Sequence, residues 1–95
     1  MVRVIIERRC QPNKEAELDK LLVELRSKGV QQRGYVSGET LQSVDDPLLR
    51  LVISTWLDAE LWKVWKNSPE RRQMIAKIER LLVAPEKISV FSFVK

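Results

Sequence analysis

The 95-residue sequence contains no histidine. That removes imidazole general-base catalysis, histidine-ligated haem and most zinc sites. It contains one cysteine, Cys10, so neither an intrachain disulfide nor a thiolate-held metal cluster can form. An inert thiol is the expectation for it, because no histidine stands by to activate it. With three glycines and four prolines, collagen-like and low-complexity chains are excluded. No apolar run approaches the roughly 20 residues of a membrane span. The opening stretch, MVRVIIERRC, has too short an apolar segment for a signal peptide, and its charges follow that segment instead of preceding it. A cytoplasmic protein that avoids membranes is expected.

What is present is an ordinary soluble balance, 44% hydrophobic and 32% charged. The length suits a single domain over residues 1–95. The net charge of +4 comes from 17 basic and 13 acidic residues of interspersed sign, which serves solubility before it serves nucleic-acid binding.

Val2 to Arg9 is short and rich in β-branched residues and predicts a strand. Asn13 is the expected N-cap of the helix that follows, with Glu15 and Glu17 in its first turn. Leu18, Leu21, Leu22 and Leu25 form its apolar stripe, and Gly34 is its expected stop. Tyr35 to Val44 and Leu48 to Trp56 read as a hairpin about the turn Asp45-Asp46-Pro47. Asp58 caps a short helix, and Ser68 with Pro69 starts another that carries Met74, Ile75, Ile78, Leu81 and Leu82. Lys87 to Val94 is a last strand. This βαββαβ order is the ferredoxin-like α+β plan, a four-stranded antiparallel sheet with helices on one face.

Such a sheet is expected to alternate apolar and polar residues. Here Val2, Val4, Ile6, Leu49, Leu51 and Ile53 form one expected face. Ile5, Val52 and Trp56 fall on the other among charges, and the last strand adds Phe91 and Phe93 opposite Ile88, Val90 and Val94. Apolar residues on both faces predict a partner for the uncovered one, and a second copy packed sheet against sheet is the simplest.

The segments GYVSGETL at 34–41, SVDDP at 43–47, LVISTW at 51–56, the pair Trp62 and Trp65, and NSPER at 67–71 resemble the antibiotic biosynthesis monooxygenase (ABM) family of the dimeric α/β-barrel superfamily. The resemblance implies a homodimer closed into an α/β barrel, with a cavity between sheet and helices in each subunit. Some members oxidise aromatic phenols or quinols with molecular oxygen and no cofactor, and others degrade haem. The haem-degrading pattern is not met: its asparagine falls at Arg8 and its histidine at Ile75. The implied function is therefore a cofactor-independent oxygenase acting with O2 on a small quinol-like aromatic.

That chemistry asks the protein to exclude water, hold a ring in an apolar slot and assist loss of a phenolic proton. The expected slot is formed by Leu61, Trp62, Trp65, Met74 and Ile75. The expected chemical groups are Trp65, Arg8 and Tyr35, with Glu39 and Arg33 available if they face the cavity. The proton acceptor is the weak point, since a phenol is a poor base at neutral pH. A second reading, a non-catalytic dimeric domain that binds a small hydrophobic molecule or serves a housekeeping role, stands beside the enzyme. An RNA-binding module of the same element order is set aside, because Leu49 to Ser54 offers no aromatic on which a base can stack.

Overall fold

In the computed structural model, which describes residues 1–94, β1 spans Val2–Arg9 and α1 spans Glu15–Gly29. The hairpin strands are β2, Tyr35–Gln42, and β3, Leu49–Trp56. Helices α2, Ala59–Lys66, and α3, Pro69–Glu79, precede β4, Lys87–Ser92. The strands form one antiparallel sheet in the order β2-β3-β1-β4. This is the expected ferredoxin-like α+β fold. The two central strands carry the core, and β2 and β4 are the edges.

Local chemistry accounts for most boundaries. Asp58 Oδ1 accepts the Leu61 N–H at 2.8 Å and starts α2. Ser68 Oγ accepts the Arg71 N–H at 3.2 Å, and Pro69, which has no N–H to lose, occupies the first turn of α3. Two expectations fail. Asn13 does not cap α1: its φ of 67° places it in the left-handed region, and Lys14 holds the cap position with no side-chain hydrogen bond. Asparagine tolerates that conformation, so here it turns the chain instead of capping it. Helix α1 also stops at Gly29, earlier than expected, and Gly34, at φ 93°, shapes the turn into β2. Strands β2 and β4 are each two residues shorter than expected at their C-terminal ends. Leu81 and Leu82 lie past α3, buried in a turn that bridges to Cys10.

The register corrects the expected sheet faces. Val2 pairs with Trp56, Val4 with Ser54, Ile6 with Val52 and Arg8 with Arg50. In an antiparallel ladder directly opposed residues share a face. The helix-covered face of β3 is therefore Arg50, Val52, Ser54 and Trp56, while Leu49, Leu51 and Ile53 join Ile5 on the outer face. The core consists of Val4, Ile6, Trp56 and Cys10 from the sheet side, with Leu18, Leu22, Leu25, Trp62, Trp65, Met74 and Ile78 from the helices and Leu81 and Leu82 from the turn after α3. No helix among the described residues is long and apolar enough to cross a membrane.

Candidate active site

A cavity of about 70 Å³ opens between the sheet and the helices, and its mouth continues into solvent. Each wall has a local cause. On the sheet floor, Ile6 and Arg8 come from β1 and Val52 and Ser54 from β3, all on the helix-covered face. From β2 come Tyr35 and Gly38, residues of opposite parity. A register shift between Tyr35 and Ser37 makes this possible: Val36 is extra, so Tyr35 opposes Trp56 and Gly38 opposes Ser54. The bulge thus turns both residues toward the helices. Gly38 is small for a reason, since a Cβ there would lie 2.8 Å from Tyr35 Oη.

Helix α2 supplies Trp62 and Trp65, three residues apart and both buried. Trp65 reaches α1 at Gly29, where an added Cβ would stand 3.5 Å from the indole Nε1. Tyr35, Trp56 and Trp62 form a chain of edge contacts, with ring centroids 5.6 and 5.5 Å apart. Trp56 Nε1 donates to Ser54 Oγ at 3.1 Å. At the rim, Arg26 of α1 donates to the Gly38 carbonyl at 3.0 Å.

The polar end of the cavity is cationic. Arg71, in the first turn of α3, stacks over Trp62 with its guanidinium carbon 5.2 Å from the ring centroid. Its Nη2 donates to Glu86 Oε2 at 3.1 Å. Arg8 donates to the other oxygen of the same carboxylate, from Nε at 3.0 Å and Nη2 at 2.8 Å. All three side chains are more than nine-tenths buried. The Glu86 N–H donates to Glu79 Oε2 at 3.0 Å. Burial pushes the Arg8 guanidinium below its ordinary pKa, and the facing Glu86 carboxylate opposes that shift.

Of the residues expected from sequence, the cavity brings together Arg8, Tyr35, Trp62 and Trp65. Leu61, Met74 and Ile75 are not in its wall. Leu61 stands on the flank of α2 against Gly34. Met74 is buried in the core and Ile75 packs on that core's edge. The expected stripe of Leu61 with Trp65 is replaced by Trp62 with Trp65, because α2 turns the latter pair toward the sheet. Glu39 reaches the cavity rim, although its register opposite Ile53 belongs to the outer face. Arg33 is exposed and outside the wall. The sequence reading missed Arg71, Ser54 and Glu86. The available signal was parity on β1: Arg8 stands in line with Val4 and Ile6, where a charge must find a buried partner. Cys10 is fully buried, and burial pushes its thiol up. No group of histidine, cysteine or acidic side chains able to hold a metal ion occurs among the described residues.

The family model for antibiotic biosynthesis monooxygenase matches residues 1–77. The chain belongs to the ABM family. Solved structures of similar fold include a conserved protein from Methanosarcina mazei, 16% identical with a TM-score of 0.92 over 98% of this chain and 92% of that one. SnoaB, a cofactor-independent oxygenase from Streptomyces nogalater, is 15% identical with a TM-score of 0.87, covering 99% of this chain and 93% of its own. The Rv0793 protein of Mycobacterium tuberculosis is 19% identical with a TM-score of 0.88, covering 99% and 95%. At such identities the structural likeness concerns the fold alone. No curated protein matches the sequence.

Proposed function

We propose that this ABM-family protein is a cofactor-independent oxygenase that uses O2 to oxidise a small phenol or quinol held between Trp65, Trp62 and Tyr35. The observation that carries this reading is the cavity itself: buried indole walls with buried guanidinium groups beside them. A ring seated against the indoles is shielded from water, which strengthens every charge interaction around it. The guanidinium groups of Arg8 and Arg71 favour the ionised, electron-rich form of the phenol, and that form reduces oxygen. The reaction balances without an added reductant: a phenol and O2 give a quinone and water, with one oxygen atom entering the ring and the other leaving as water. With no histidine in the chain, ionisation rests on the substrate's own acidity under that positive field. The small interior suits a single ring whose remaining substituents pass out through the mouth.

Oxygen consumption with a panel of quinols and flavonoid-like phenols tests the reading. Uptake is expected, and Trp65→Ala is expected to abolish it while the fold persists. Saturable binding of the same compounds without uptake would instead make this a small-molecule binding domain.

The same reading includes a homodimer. Ile5 lies opposite Ile53, and Leu41 opposite Leu51, on the face without helices. Phe91 and Phe93 remain more than half exposed beside them. Burying such side chains contributes roughly 1.5–3 kcal/mol each, enough in sum to favour sheet-on-sheet pairing. Sedimentation at micromolar concentration is expected to give twice the chain mass, and Ile53→Glu to halve it.

A further inference from the structure

The pair Arg8 and Arg71 is arranged at a cost that stability alone does not explain. One carboxylate, Glu86, faces both guanidinium groups, so each receives a share of one negative charge. Glu79 lends a second negative charge through its contact with the Glu86 N–H. Neither carboxylate is in the cavity wall, whereas Arg8, Arg71 and Arg26 are, with Glu39 as the one acidic residue there. The cavity therefore faces positive charge with the counter-charge set behind it. Arg71 adds a second cost. It sits in the first turn of α3, where the helix dipole already presents its positive end, a position that favours acids and opposes a buried arginine. Both guanidinium groups also keep unused donors. Among the described residues Arg8 directs only Nε and Nη2, and Arg71 only Nη2, at an acceptor. A guanidinium carries five N–H donors.

We propose that Arg8 and Arg71 form an anion subsite in the cavity wall, and that the ligand is an aromatic carboxylate with its phenol ortho to the carboxylate, so that both oxygen groups face the guanidinium pair while the ring lies against Trp62 and Trp65. The carboxylate takes the unused donors, which fit its planar geometry. Glu86 acts as a positioning residue that holds both arginines at the wall. This deepens the oxygenase reading and rests on the cavity being the ligand site.

The test compares 2-hydroxybenzoate with 2-hydroxybenzamide at pH 7, by calorimetry on the unmodified protein. The two share ring and phenol and differ in charge at one substituent. The acid is expected to bind at least about tenfold more tightly, as charge-assisted hydrogen bonds do over neutral ones. Arg71→Gln is expected to weaken the acid more than the amide and so to remove most of that preference, while Arg71→Lys retains part of it. Equal affinity for acid and amide would overturn the anion subsite and leave the cavity reading intact. Binding of neither would overturn both. Should Arg71→Gln fail to fold, the Arg71 Nε–H resonance of the unmodified protein decides: it is expected to shift on adding the acid and stay in place on adding the amide, and a shift with neither or with both overturns the subsite.

Discussion

Trp56 Nε1 donates to Ser54 Oγ, two residues earlier on the same strand, and both side chains face the helices. The bond lets a serine sit in the buried floor of the sheet, because it satisfies the one polar atom of the largest fully buried side chain in the core. Ser54→Ala strands that N–H. The expected loss is about 1–3 kcal/mol of unfolding free energy, the usual cost of an unpaired buried donor. Urea denaturation followed by tryptophan fluorescence measures it, and an unchanged midpoint would show that water or another group has taken the hydroxyl's place.

Gly34 combines a left-handed backbone with crowding. Its φ is 93°, and a Cβ would stand 2.7 Å from Leu61 Cβ. Gly34→Ala is expected to lower stability by about 1–3 kcal/mol, from backbone strain together with overpacking. The double variant with Leu61→Ala removes the Leu61 Cδ1 contact, also at 2.7 Å, and leaves the Cβ contact and the strain, so it is expected to be somewhat more stable than the sum of the two single losses. Simple additivity in chemical denaturation would show that the Cδ1 contact adds nothing to the cost.

Glu86 holds two buried arginines, so its charge matters more than its shape. Glu86→Gln is expected to cost about 3–5 kcal/mol, since it leaves guanidinium groups buried without their counter-ion. Replacing Arg8, Arg71 and Glu86 together by Met, Leu and Leu is expected to fold at least as well as the parent, because apolar packing of similar volume matches such clusters. Thermal and urea unfolding of both variants checks this. A stable Glu86→Gln protein would contradict it.

Asp46 is tied to Arg9 and accepts the Leu48 N–H at 3.2 Å. The Arg9 hydrogen bond is the main cause that holds its carboxyl below the ordinary value, with the Leu48 bond adding to it. A depressed folded-state pKa means that this contribution to stability is fully present above the ordinary Asp value of about 3.9 and is lost as pH falls through the lower folded value. An NMR titration of the Asp46 carboxyl is expected to find its midpoint below that ordinary value, and Arg9→Gln is expected to raise it. A midpoint insensitive to Arg9→Gln would assign the shift to another cause.

Some of this protein was legible in its residues. The element order followed from periodicity, the Asp58 and Ser68 caps and the turn at Asp45-Asp46-Pro47, all of which act over a few residues. Trp62, Trp65, Tyr35 and Arg8 were identifiable as site candidates, partly through family resemblance. The sheet faces were not legible, because β3 is apolar on both parities and only pairing decides which side meets the helices. Leu61 and Trp62 could not be ranked either, since a two-turn helix leaves its rotation to its neighbours.

By itself, then, the sequence determined the order of strands and helices and the absence of imidazole and disulfide chemistry, for these depend on residue types and short-range hydrogen bonding. Only the tertiary structure decided that Val36 bulges to bring Tyr35 and Gly38 onto one face, and that Arg8 and Arg71 share Glu86. Those relationships join residues as much as 78 positions apart. They exist because burial forces each guanidinium to find a carboxylate, wherever along the chain the fold has placed one.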